Sequence, residues 1–225
     1  MTTSNDGLVG FIRGTYAWMC IGLLVTAAAA LIVAITPGLT DFFDGNILVF
    51  YILIFLQIVA MFYLSIAAQK VSAASAGMVF LLYAVLNGIT LSLIFLVYTD
   101  SSIVLAFLVA AAMFGIMSIY GYFTKMDLTA VGNIAGMALV GIILASVVNL
   151  FFANDTIYWI TTYAGVLIFV GLTAYDTQKL KQLYLVGEST ADGERKEAIV
   201  GALTLYLDVI NLFLDFLRIF GKRRN

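Results

Sequence analysis

No histidine occurs anywhere in the 225-residue chain. That excludes Ser-His hydrolases, zinc sites with His ligands and haem held by a His. Any proton sensing near neutrality must use a shifted carboxylate, Cys20 or the α-amino group. Cys20 is the one cysteine, so no intrachain disulfide can form. Charge is scarce: 11% of residues are charged, against about 25% in soluble domains. A basic excess is missing too. Eleven Lys and Arg stand against 13 Asp and Glu, net −2, which excludes the broad basic face that nucleic acid binding needs.

What remains is apolar: 63% of the chain is hydrophobic. So little charge cannot coat a soluble fold, so lipid must be the solvent. Seven apolar segments are expected to cross it, at about Thr15–Thr36, Asn46–Ala68, Ser75–Tyr98, Ser101–Tyr120, Val131–Phe152, Thr156–Tyr175 and Ala198–Phe220. Each is long enough to cross about 30 Å of hydrocarbon as a helix. They are too long and too continuously apolar for barrel strands. The expected fold is therefore an all-α membrane protein with seven transmembrane helices. Residues 1–14 form an N-terminal arm, 15–221 the transmembrane domain and 222–225 a basic tail. Arg13 to Ala34 resembles a signal peptide, but the apolar run is of span length and no polar mature domain follows. Pro37 ends the first span, and Gly132 and Gly136 form a G-x-x-x-G pair suited to close packing.

Charge placement sets the orientation. The connections after spans one, three and five carry Asp41, Asp44, Asp100 and Asp155, with no Lys or Arg. The arm and the connections after spans two, four and six carry Arg13, Lys70, Lys125, Lys179, Lys181, Arg195 and Lys196. The positive-inside rule then makes the N-terminus cytoplasmic. Seven full spans leave Lys222-Arg223-Arg224 outside, against that rule. The alternative is a re-entrant last segment that returns to the cytoplasm. Seven full spans are favoured, because early connections dominate topology more often than late ones.

Chemistry concentrates in the last two spans, where Asp176, Asp208 and Asp215 lie. A carboxylate near the bilayer centre costs about 2.5–3.5 kcal/mol on insertion scales, so Asp208 is a functional candidate by default. Gly201, Thr204, Asp208, Asn211, Asp215 and Arg218 recur every third or fourth residue and form one polar stripe on an apolar helix. Asp215 and Arg218 can pair within the helix, whereas Asp208 has no basic partner there. A hairpin of spans six and seven would bring Asp176, at the cytoplasmic end of span six, to Asp208. Two carboxylates in one site cannot both ionise easily, so a shared proton would join them and its loss would part them and attract a cation. Calcium takes six to eight oxygens, so this pair with Asn211, Thr204 and water makes only a weak, transient site. Lys70, at the end of span two, is a candidate latch for Asp176 or an ordinary snorkelling lysine. Asn87, Thr90 and Asn149 are read as interhelical bonding groups.

These motifs resemble a known family. Gly171-Leu-Thr-Ala-Tyr-Asp176-Thr-Gln-Lys-Leu-Lys181 is similar to the end of the sixth helix of the Bax inhibitor-1 (transmembrane BAX inhibitor motif) family. Ala202-Leu-Thr-Leu-Tyr-Leu-Asp208-Val-Ile-Asn-Leu-Phe-Leu214 and Leu217-Arg-Ile-Phe-Gly221 resemble its seventh. Asn87-Gly-Ile-Thr-Leu91 and Tyr122-Phe-Thr-Lys-Met-Asp-Leu128 are similar to its third helix and fourth connection. The resemblance spans nearly the whole chain, and the short N-terminal arm suggests a bacterial member of the inner or plasma membrane. It implies six helices wrapped around a central C-terminal one. It also implies a pH-dependent calcium leak gated by the pair at Asp176 and Asp208, with no cofactor and no enzymatic step. Some members latch the first aspartate with an arginine near the end of the second helix. Lys70 stands there in this chain, and a lysine cannot make that two-pronged bond.

Two other readings compete. One is a membrane scaffold that regulates a membrane protease or another membrane protein partner. The other is an intramembrane aspartyl protease, since Tyr175-Asp176 and a seventh-span aspartate resemble presenilin-like enzymes. Against the latter, Leu205-Tyr206-Leu207 precedes Asp208 where a Gly-x-Gly is required, and no Pro-Ala-Leu motif exists.

Overall fold

Pro37 stops the first helix as its missing N–H and fixed φ require: α1 runs Thr2–Ile35, and Gly38 turns the chain at φ +88°. A computed structural model of the chain describes residues 2–39, 42, 46–67, 72–186 and 190–224. The elements that follow α1 are α2 Ile47–Ala67, α3 Ala73–Leu91, α4 Ile94–Val97, α5 Asp100–Phe123, α6 Thr129–Phe152, α7 Asp155–Val186 and α8 Ala191–Phe220. Among the described residues there is no strand, only an isolated bridge between Tyr98 and Arg223. Six helices are long and apolar enough to cross a membrane, α3 and α4 counting as one, and α2 adds an apolar stretch, Tyr51–Leu64. The chain is an all-α, multi-pass membrane protein with seven membrane helices.

Local chemistry explains where the sequence expectations shift. The third span, expected to be continuous, is broken at Ser92. Its N–H bonds the Gly88 carbonyl at 2.9 Å and its hydroxyl donates to the Ile89 carbonyl at 2.7 Å. A serine that bonds back into the preceding turn competes with the helix ladder. The connection left between spans six and seven, Asp176 to Glu197, is shorter than expected, because α7 runs on to Val186 and α8 begins at Ala191. Thr190 starts it: its hydroxyl accepts from the Gly193 N–H at 3.1 Å and its carbonyl from the Glu194 N–H at 2.9 Å. Asp192 and Glu194 add negative charge to the first turn, where the helix dipole favours it. Asn154 caps α7 in the same manner, accepting from Thr156 and Ile157 N–H groups at 2.9 and 3.1 Å.

The chain divides into two compact units. The first comprises Met1–Thr99, Leu183–Tyr206 and Arg223–Asn225. In it α1, α3 and the first half of α8 meet around Tyr206, which is fully buried. The Tyr206 ring packs edge-on against Phe80 and Tyr83, with centroids 5.7 and 5.9 Å away. Gly88 lies so close to the backbone of Thr26 that a Cβ there would strike the Thr26 carbonyl. α3 starts beside the start of α8, where the Ala73 N–H bonds Asp192 Oδ2 at 3.3 Å. α4 ends beside the tail, where the Arg224 N–H bonds the Val97 carbonyl at 2.8 Å. Helices that share both ends run parallel. α8 therefore runs the same way as α3 and α4 from end to end, and the basic tail lies with the connection after span three, which speaks against a re-entrant last segment.

The second unit comprises Asp100–Gln182 and Leu207–Lys222. α5 buries Ser102, Ala106, Ala110, Phe114 and Ser118, a four-residue spacing that lays small groups along one ridge. Burial rises sharply in the last helix. In α8, 72% of the apolar window is buried, against 6% in α6 and 28–39% in the other four spanning helices. α8 is thus the most buried of the six spanning helices.

Candidate functional site

Asp208 lies in the second unit, on the part of α8 that begins at Leu207. Its residue surface is 3% exposed. Among the described residues, Asp208 Oδ2 is the one buried side-chain nitrogen or oxygen without a hydrogen-bond partner. An unmet buried polar atom costs about 1–3 kcal/mol, and more when charged. The charge that acts on Asp208 is that of Asp176. Asp176 and Asp208 both lie in the second unit.

Asp176 is half-buried, but it does not end its helix. The sequence places it at the close of span six, whereas α7 continues to Val186. No glycine or proline interrupts the stretch from Thr177 to Val186. Side chains of this extension also tie down the preceding connection. Gln178 accepts from the Leu128 N–H at 2.9 Å and donates to the Met126 carbonyl at 2.7 Å. Lys181 donates to the Tyr122 carbonyl at 2.6 Å. Asp176 is therefore framed by helix on both sides, with Lys179 as the cation that acts on it. Lys179 sits 5.5 Å from the Tyr175 ring centroid.

Two glycines let α7 sit close to its neighbours here. Gly121 of α5 touches the Ala174 backbone, and Gly132 of α6 lies under the Tyr175 ring, where a Cβ would be 2.5 Å from it. Gly136, the other half of the expected G-x-x-x-G pair, faces open space. Thr177 donates to Ser118 Oγ at 3.4 Å, beside Asp176 in sequence and unnoticed there.

The stripe on α8 resolves into separate fates. Thr204 bonds the Val200 carbonyl at 3.3 Å and Asn211 the Leu207 carbonyl at 2.7 Å, so both amide and hydroxyl are turned onto their own helix. Asp215 pairs with Arg218 at 3.2 Å, as the spacing implies. Its other oxygen rests against Gly165 of α7. Lys70 lies outside the described residues. Among the described residues no three His, Cys, Asp or Glu side chains converge to hold a metal ion.

Sequence reasoning missed a second polar centre, in the first unit. Tyr206 Oη lies 2.7 Å from Thr26 Oγ1 and accepts from Asn87 Nδ2 at 2.9 Å, while Thr26 donates to the Ala84 carbonyl at 2.9 Å. Asn87 was legible as an interhelical group. Its partners were not, since a tyrosine and a threonine in apolar helices carry no distinctive spacing. Gln57 similarly reaches Thr90 Oγ1 at 2.5 Å and the Leu86 carbonyl at 3.1 Å.

Comparison with known proteins adds three relatives and a family. A profile of the family described as Inhibitor of apoptosis-promoting Bax1 matches residues 8–225. The Inner membrane protein YbhL of Escherichia coli strain K12 is 48% identical over 219 residues, covering 97% of this chain and 94% of that protein. An uncharacterized protein of Borreliella burgdorferi is 40% identical over 215 residues, with 96% and 93% covered. An uncharacterized membrane protein of Streptococcus pyogenes is 35% identical over 224 residues, with 98% and 96% covered. The expected location, a bacterial inner membrane crossed several times, agrees with the first of these names and with the apolar helices.

Proposed function

The chain belongs to the Bax inhibitor-1 family, and from that premise we propose that it is a pH-dependent cation leak, with calcium as a permeant ion, gated by Asp176 and Asp208. The observation that carries this reading is the buried, unpartnered Asp208 Oδ2 within reach of the Asp176 charge. Two carboxylates facing each other in a low-dielectric site repel strongly when both are charged. One shared proton supplies the missing partner and holds α7 against α8. Removal of that proton restores the repulsion, loosens the contact and leaves two negative groups that attract a cation. Flux therefore rises as pH rises through the titration of the pair. Among the described residues no third carboxylate joins the pair, which keeps the site weak, so a calcium ion leaves as readily as it enters. In this reading the protein is a passive conduit without a cofactor or an enzymatic step.

Reconstitution in liposomes with an enclosed calcium dye, at a series of pH values, tests it. Wild-type protein is expected to leak more at higher pH, and Asp208→Asn to lose the pH dependence. A wild-type, pH-sensitive flux in Asp208→Asn would sink the gate. No flux at any pH would leave the scaffold reading ahead.

A further inference from the structure

The proposed gate leaves a cavity of about 300 Å³ in the second unit unused, between α6, α7 and α8. Leu139, Ile143, Val147 and Leu150 of α6 and Leu214 of α8 make its walls apolar. Its charged groups, Asp215 and Arg218, come from the closing turns of α8. α6 has only 6% of its apolar window buried, so the cleft opens beside a helix that meets lipid. Aromatic rings mark its depth. Tyr158, Trp159 and Tyr163 lie near the start of α7, with Trp159 41% and Tyr163 54% exposed. Such amphipathic rings gather at the headgroup boundary, and Arg218 stands at their level, its guanidinium 5.9 Å from the Tyr158 ring centroid.

Arg218 is poorly consumed by its partner. A guanidinium has five N–H donors, the bond to Asp215 Oδ1 uses one, and the side chain is 44% exposed. Asp215, 8% exposed at its side chain, holds Nη1 and leaves the other N–H groups of the guanidinium unused by that bond. We propose that this cleft seats one acyl chain of an anionic phospholipid whose phosphate is held by Arg218. A planar guanidinium fork matches a phosphate in geometry and charge. A volume at the low end of small-molecule sites takes one chain, not a whole lipid. A free inorganic anion gains nothing from the apolar walls, and a small cation meets Arg218 at the mouth.

Native mass spectrometry of the detergent-purified protein, titrated with phosphatidylglycerol or phosphatidylcholine, tests this directly. One phosphatidylglycerol is expected to bind wild type more tightly than phosphatidylcholine, and soluble glycerol phosphate at the same concentration is expected not to displace it. Asp215→Asn with Arg218→Gln removes both charges together, strands neither, and is expected to weaken binding about tenfold. Ser146→Phe narrows the cleft, leaves Arg218 intact and is expected to weaken binding similarly. Equal binding of the two lipids, displacement by glycerol phosphate, or retention of full affinity by both variants overturns the proposal. The two wild-type comparisons decide the matter even if a variant fails to fold.

Discussion

Asp208 and Asp215 share one face of α8 but differ in what the fold gives them. Asp215 has Arg218, a partner on its own helix, whereas Asp208 Oδ2 has none. Asp208→Asn replaces a carboxylate by an amide of the same shape that carries no charge. It is expected to melt in detergent at the wild-type temperature or above, because the amide leaves no charge to bury beside the Asp176 carboxylate. A clear fall in melting temperature would mean that the carboxylate is held by a bond the bundle supplies. Asp127, outside the spans and fully exposed, shows the opposite situation. The Thr129 side chain and then its backbone N–H bond the carboxylate and hold its pKa below the usual value. The contribution of such a depressed group is complete above the unfolded pKa and is lost as pH falls through the folded one. Thr129→Val removes the hydroxyl and keeps the N–H. The Asp127 titration midpoint, followed by carboxyl carbon shifts in micelles, is expected to move up towards an ordinary aspartate. The aspartates themselves were legible, since charge in apolar segments stands out. The surroundings that separate their roles were not, because α7 and α8 assemble them from different parts of the chain.

Helix contacts in this protein depend on which glycine faces what. Gly88 abuts the Thr26 backbone and Ala29, and Gly136 faces nothing within 4 Å. Gly88→Ala must push α1 from α3 against backbone that cannot yield, so a loss of more than about 2 kcal/mol is expected, within the range for overpacking. Gly136→Ala meets no obstacle and is expected to be neutral, or to gain up to about 1 kcal/mol of helix propensity. Thermal unfolding of the two variants side by side checks the contrast, and equal melting temperatures would refute it. Tyr206→Phe belongs to the same contact. It strips the partner from Asn87 Nδ2 and leaves Thr26 its bond to the Ala84 carbonyl, and interhelical bonds in membranes are worth about 0.6 kcal/mol on average, with a maximum near 1.7. The sequence marked both glycines of the G-x-x-x-G pair as packing sites, yet only Gly132 packs. Spacing identifies a face that permits close approach, and the neighbouring helix decides which part of that face is used.

Across the whole molecule, the membrane helices were readable because apolar length is a strong signal and proline and charge punctuate it. The break at Ser92 and the extensions of α7 and α8 were not readable. The break depends on a hydroxyl choosing the preceding turn, and the extensions carry Lys179, Lys181, Asp192, Glu194, Arg195 and Lys196, charges that read as a connection. The tail was the open point of the topology, since Lys222-Arg223-Arg224 argues for the cytoplasm. Its binding partners outweigh that charge. Arg224 bonds the Val97 carbonyl through its N–H and the Phe95 carbonyl through its side chain at 2.9 Å. Lys222 bonds Ser102 Oγ through its N–H at 2.9 Å. Positive residues bias topology most strongly in early connections, and here those residues precede span seven. With the N-terminus inside, a green fluorescent protein fused to the N-terminus is expected to fluoresce. Alkaline phosphatase fused after the tail is expected to be active, because it folds only outside the cytoplasm. An inactive phosphatase together with a fluorescent C-terminal fusion would place the tail inside. That result would require the contacts at Val97 and Ser102 to break in the membrane.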